Sequence, residues 1–568
     1  VNKMLIAAGV VAIGAGGYFY VQNQSATSAS ILEQIPADTA VLAAQMTPIP
    51  LEHYLASISE LPSQDELMVM IETDPANITS KEKFFYAFYD AFLKATQSPE
   101  QFKATFGTAD MLNNYAYTLG IVPVLKMEVA NPAAFWSTID QLEADSEFTH
   151  IAGNIGKTNY RRYPIVEENG QTELEFIIGI TDGFATFTVN IDRLKDANPL
   201  EMALGLKKPA HSVASSNILE QVQTKYSQMA DQQISYIDHQ QLATGFTTQD
   251  GNLIAKQLTK LSAEEPTNPF AEMQTLECQN DIQSIAANWP RTIAGGSFQA
   301  TGAVTGNVVI ESNNNVILSA LKSLRGFIPQ SQNVKNSALF VGMGIDINQL
   351  TPAVTQILTD LQSVQYQCQP LAEFQQQLTQ ANPAMMVGMA SGFVNGLKGI
   401  SFTLFDYQMA MGDYAEELTQ LDAAITVSAD NPSALVQNAA MMMPELASIQ
   451  LPSDGTPVAL PEEFSGMVGE VGTVYAATKG QHLTIYTGEK SGEFSSELMD
   501  KPLEKNGITN ILIDYKKLFS PVITMMEQAG EPVPEELEPF INNELRGSLA
   551  YDVTDNGITF DVENIVNQ

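Results

Sequence analysis

The residues whose chemistry is easiest to state are the only two cysteines, Cys278 in TLECQND and Cys368 in VQYQCQP. In an oxidising compartment two thiols without competitors form one disulfide, whereas in a reducing one they are two small buried side chains. Closing a loop of about 90 residues would stabilise the fold by on the order of 4 kcal/mol. With no further cysteine, a thiolate metal site and a CxxC redox pair are excluded.

The other candidates thin out quickly. Histidines stand at 53, 150, 211, 239 and 482, none with another at metal-ligand spacing, so each reads as a surface or hydrogen-bonded side chain. His239, just after Asp238, is expected on an exposed first helical turn. Ser319-Ala-Leu-Lys322 fits S-x-x-K, but the S-D-N and K-T-G companions of a serine acyl-transfer site are missing, as is GxSxG. Asp552, Asp555, Asn556 and Asp561 carry oxygens suited to calcium, yet their spacing is not that of an EF-hand loop, and DNG between alternating segments is hairpin chemistry. No catalytic residue, metal ligand or cofactor site is assigned. AMMVGMASGFVNGL and NAAMMMPEL are methionine-rich and suit either an adaptable apolar groove or a core; core packing is the expectation.

The elements that must position these residues repeat along the chain. An Asn side chain at a helix N-cap accepts a bond from an orphan N–H, and a following Pro has no N–H to leave unpaired. Asn131-Pro132 and Asn431-Pro432 therefore each read as a strand exit followed at once by a helix start, with Phe135, Trp136, Ile139 and Leu142 matching Leu435, Val436, Ala439 and Met442. TAVLAAQM from Thr39 matches SALFVGMG from Ser337, each a buried strand. ITDGFATFT matches ATKGQHLTI, two hairpins turning on an X-Gly pair, Gly183 against Gly480. YIDHQQL matches LIDYKKL, with Asp238 and Asp514 ending a strand and capping a helix, and GIDINQL offers a further such Asp at 346. GSFQATGAVTGNVVIE from Gly296 matches GSLAYDVTDNGITFDVE from Gly547 as a closing hairpin. These landmarks keep one order, which reads as tandem duplication.

Ahead of the repeats, MLIAAGVVAIGAGGYFYV is eighteen uncharged residues, roughly 27 Å as a helix against a hydrocarbon core of about 30 Å. Lys3 keeps the leading end in the cytoplasm and the aromatic run at 18–20 suits the far interface. Ala8, Ala12 and Gly16 share a face on which two such helices could form a homodimer. Cleavage near SATSAS, releasing the chain to the periplasm, is the alternative. The expected fold is thus α+β: a cytoplasmic stub (1–3), a transmembrane signal-anchor (4–21), a linker (22–30), and two tandem, duplicated domains of antiparallel sheet covered on one face by helices, 31–326 with a late insertion at about 247–280, and 327–568.

The opening IPADTAVL, with VANPAAFWSTIDQL and the DG hairpin downstream, resembles a family of uncharacterised bacterial envelope domains. That resemblance covers Ile35 to Phe246 and implies no activity. A net charge of -37, from 28 basic against 65 acidic residues, repels phosphate backbones and excludes nucleic acid as a partner. The expectation is a noncatalytic binding or scaffold protein of the bacterial inner membrane, its bulk periplasmic, with an envelope protein as partner. A carrier of lipid or another apolar ligand is the alternative, and a hydrolase with a site between the halves the second alternative.

Overall fold

A computed structural model describes residues 31–57, 62–70, 78–168, 171–197, 199–226, 233–263, 267–298, 304–411, 416–442, 449–461, 472–530, 532–534, 537 and 544–567. The chain divides into two compact units, Val1–Phe298 and Gln299–Gln568.

In the first unit nine strands form an antiparallel sheet: β1 (Val41–Gln45), β2 (Asn114–Leu119), β3 (Val122–Glu128), β4 (Ile151–Ile155), β5 (Thr158–Glu168), β6 (Gln171–Thr181), β7 (Phe184–Ile191), β8 (Gln233–Asp238) and β9 (Arg291–Phe298). Their spatial order is β9-β8-β1-β2-β3-β7-β6-β5-β4. Helices α1 (Ser80–Ala95), α2 (Pro99–Phe106) and α3 (Pro132–Ser146) close one face. Spacing explains the closure. Phe84, Phe88 and Phe92 recur every four residues along α1 and so share a stripe, which meets Phe102 and Phe106 of α2, Phe135 of α3 and Tyr163 of β5 in one aromatic core. Phe84 stacks on Tyr163 at 4.7 Å between ring centroids. A Thr79–Glu82 capping box starts α1, and Ser98 with Pro99 starts α2.

The second unit has ten strands: β10 (Val304–Glu311), β11 (Leu339–Met343), β12 (Leu397–Met411), β13 (Glu416–Ala429), β14 (Val458–Ala459), β15 (Tyr475–Lys479), β16 (His482–Thr487), β17 (Thr509–Asp514), β18 (Glu544–Thr554) and β19 (Gly557–Asn567). They lie in the order β10-β19-β18-β17-β11-β12-β13-β16-β15-β14. The long β12–β13 ladder shifts register at three places, between Leu397 and Gly399, Leu404 and Asp406, and Gln408 and Met409.

From β9 to β5 the first unit's order recurs in the second as β18 to β14. The central hydrogen bonds recur with it: the Asp238 N–H donates to the Ala40 carbonyl and the Asp514 N–H to the Ala338 carbonyl, both at 2.8 Å. Two matches drawn from the sequence are out of step. Asp238 faces Arg291 and Asp514 faces Arg546, so Gly296 is equivalent to Tyr551, four residues beyond Gly547. The hairpin turns differ by one: Asp182 and Gly183 both take positive φ, whereas between Lys479 and His482 the glycine, Gly480, comes first.

The expected fold class needs correction. The described residues form a large antiparallel sheet structure of nineteen strands, with helices and a separate two-stranded sheet of Ile49–Pro50 and Met111–Leu112. The anchor expected at 4–21 lies outside the described residues, and among those described no helix is long and apolar enough to cross a membrane. The longest, Ile347–Ser363, is seventeen residues rich in Thr and Gln. The single-pass membrane description therefore has no support in the fold. Nor do helices cover one face only, because β3 and β7 in the first unit bury Val124 and Thr188 on one side and Met127 and Ala185 on the other.

Candidate functional site

Beside the core that packs on Phe340, Phe405 and Tyr486, part of the second unit's sheet has hydroxyls on its buried side and apolar residues on the other. On β12 and β13 the buried face holds Ser401, Thr403, Thr426 and Ser428, joined on β16 by Thr484, all at most 2% exposed. The opposite face holds Ile400, Phe402 and Ile425 in solvent. Most of these buried hydroxyls find partners: Ser401 bonds Thr426, Thr484 bonds Ser495 and Ser428 bonds His482, while the Thr403 hydroxyl is left unsatisfied.

On the open face one row crosses seven adjacent strands. Val562 pairs with Leu549, Leu549 with Ile511, Ile511 with Val341, Val341 with Phe402, Phe402 with Ile425 and Ile425 with Ile485. Five of the seven are between 37% and 44% exposed, and the next positions along β11 and β12, Met343 and Ile400, are as open. At inter-strand spacing the row is roughly 29 Å long. Helices bound it on both sides. Leu518 of Tyr515–Ala529 packs with Leu339, Leu404 and Ala423 at one end of the strands, while Leu318 and Leu321 of Asn315–Ser323 pack with Tyr551 and Val553 at the other. The result is an apolar trough with no charge in its floor.

The first unit supplies the comparison. Its equivalent row is Ala294, Ser235, Ala43, Ala116, Leu125 and Phe187, small at four positions and covered at the last by Phe88 and Phe135. Where α1 and α2 bury phenylalanines, the second unit's helices between β11 and β12 bury little: Ala353 alone in Ile347–Ser363, and nothing in Gln369–Ala381 or Pro383–Ser391. Met385, Met386, Met389, Phe393 and Met441 are more than half exposed. The expectation that the methionine-rich segments pack a core is corrected accordingly.

The residues singled out in the sequence do not converge. Asn131, Asp238, Asp346, Asn431 and Asp514 each accept a first-turn N–H of their own helix, at 2.9 to 3.3 Å. Asp346 is also gripped by Lys398 at 2.7 Å and Lys505 at 3.0 Å; burial works to raise its pKa, and these two ammonium groups hold it below the usual value. Asp238 is raised by burial. Cys278 and Cys368 are both oxidised, and with no third cysteine the disulfide joins them. The unreduced chain should migrate faster than the reduced one on a denaturing gel, and Cys278→Ser should abolish the difference; equal mobilities would mean the bond does not form.

Ser319 is exposed on its helix, and Lys322 is tied to Asp555. Asp552 holds Arg325 through two bonds of 2.8 Å and Asp561 accepts from the neutral Asn307 amide, so Asp552 and Asp555 are each paired with a cation and Asp561 is hydrogen-bonded. Among the described residues no group of three His, Cys, Asp or Glu side chains could hold a metal ion. His239 is half-buried, not exposed, its ring bonded to the Trp289 carbonyl and the Thr292 hydroxyl. His53 lies 3.8 Å from Glu52.

Two constellations escaped sequence reasoning. Glu143 accepts from the Tyr163 hydroxyl at 2.6 Å, Arg161 at 2.9 Å and His150 Nδ1 at 2.8 Å. Both carboxylate oxygens are engaged, which suits a structural hub better than a general base. In the second unit His482 Nε2 faces the Lys501 carbonyl at 2.8 Å and must carry the proton, leaving Nδ1 to accept from Ser428 at 2.9 Å. This is nucleophile, base and orienting group in line. Yet both side chains are at most 1% exposed, burial holds the imidazole below its usual pKa, and neither lines the nearby cleft of about 280 Å³ beside Phe327 and Lys501. Substrate has no way in.

No protein family, curated protein or solved structure matches the chain.

Proposed function

We propose that this is a noncatalytic binding or scaffold protein of an oxidising compartment outside the cytoplasm, and that it takes an apolar partner on the open sheet face of its second unit. The observation that carries the reading is the seven-residue row from Val562 to Ile485, left open where the equivalent row of the first unit is small or covered. A contiguous apolar face of this size is as large as the largest on a typical monomer, and such faces are often functional. The disulfide supports the compartment, because such bonds persist where thiols are not kept reduced.

The test is a polarity-sensitive dye. Phe402→Ser with Ile425→Ser should cut the fluorescence enhancement by half or more, whereas Val41→Ser with Ile237→Ser, an exposed pair on the first unit's sheet, should leave it nearly unchanged. Equal loss in both variants, with circular dichroism intact, would remove the second unit's face from consideration.

A further inference from the structure

We infer that the occupant of this face is the acyl chain of a lipid with no net charge on its headgroup, laid across the strands along the row from Val562 to Ile485. The inference rests on the binding role proposed above and deepens it. Three observations choose this occupant over a polypeptide or a second copy of the chain.

The first is chemical. An extended polypeptide lying across a sheet face brings N–H and C=O groups that need partners, and the side chains of the row, Val, Leu, Ile, Val, Phe, Ile and Ile, offer none. A hydrocarbon chain brings no such groups. The second is size. Side chains about two-fifths exposed along this row and at Met343 and Ile400 sum to on the order of 500 Å², short of the roughly 800 Å² per partner of a stable protein interface. A trough of roughly 29 Å exceeds the about 15 Å of hydrocarbon in one bilayer leaflet, so a whole chain can lie along it. The third is charge. A net charge of -37 repels anionic headgroups and carboxylates and leaves zwitterionic ones indifferent. An aliphatic floor with the polarizable Met343 beside it adapts to chains of different saturation.

The experiment uses the full chain and a series of single-chain phosphocholines of increasing length, each below its micelle concentration, displacing the dye. Affinity should tighten about fourfold for every two carbons, the effect of a methylene that loses half its contact with water, and level off once the trough is filled. Phe402→Ser with Ile425→Ser should weaken binding at least tenfold, and an anionic lipid of equal chain length should bind more weakly at low salt than at high salt. If the dye binds the face and the double variant abolishes that, but no lipid displaces it, the acyl inference fails while the binding face stands. Concentration-dependent dimers lost in the same variant would assign the face to a second copy. If the dye itself does not report on the face, the functional reading falls with the inference.

Discussion

Lys126→Met is expected to flatten a rise in stability of about 3 kcal/mol that the wild-type chain shows as pH climbs from 8 towards 10.5. Lys126 lies on β3, is 1% exposed, and among the described residues bonds the Thr186 hydroxyl, at 3.2 Å. Burial pushes its ammonium down to about 8 from the ordinary 10.5, with Asp182 opposing weakly. Between those two values the unfolded chain binds a proton that the folded chain has released, so stability increases with pH through that window. Below pH 8 both states are protonated and the full penalty is present; above 10.5 neither is, and it has gone. Buried tyrosines such as Tyr117 and Tyr236, whose pKa values burial raises, act in the opposite direction above pH 10, so the quantity to measure is the wild-type minus variant difference in denaturant unfolding. Methionine of similar length fills the space without the charge and should make the protein more stable at pH 7. A difference that does not change with pH would show that Lys126 finds a counter-charge or water when folded.

Glu143→Ala is expected to cost about 3–5 kcal/mol, because it strips a buried carboxylate from three donors at once. Tyr163 is wholly buried and stacked on Phe84, so its hydroxyl loses the acceptor it has, while Arg161 retains Asp140 at 2.7 Å and the Trp136 ring at 4.4 Å. The thermal transition of the first unit should fall by roughly 10 °C. Glu143→Gln keeps an acceptor for the tyrosine and should lose about half as much. Dye binding at native temperature should be unaffected in both, which separates this hub from the open face. A Glu143→Ala chain of unchanged stability would mean that the hub relaxes to water.

How far the sequence could be read follows from which interactions are local. TAVLAAQM and SALFVGMG are equivalent central strands, legible because short apolar runs bounded by turns declare themselves within a few residues. The pairing of Cys278 with Cys368 required only that no competitor exist. Turn and register details went astray by one and four residues, since Gly183 against Gly480 and Gly296 against Gly547 were matched by identity while ladder bonds decide. The open face was unreadable for a deeper reason. Alternation in ISFTLF and AAITVS has a period of two whichever side is buried, and the usual assumption puts Phe402 and Ile425 inside. What reverses them is a long-range match of hydroxyls, Ser401 with Thr426 and Ser428 with His482, that no window of one strand contains. Glu143, His150, Arg161 and Tyr163 likewise come from a helix, a loop and one strand.

The three register shifts along β12 and β13 acquire a purpose from this inversion. Sliding one strand past the other by a single residue would swap sides for every group on it, hiding Phe402 and wetting Thr403, an outcome that ordinary solvation favours. An irregularity fits only one alignment of its two strands, so three along one ladder act as a ratchet against slippage. The chain thereby keeps grease outward that water would otherwise drive in, and the misaligned hairpin is the trap its folding has to avoid.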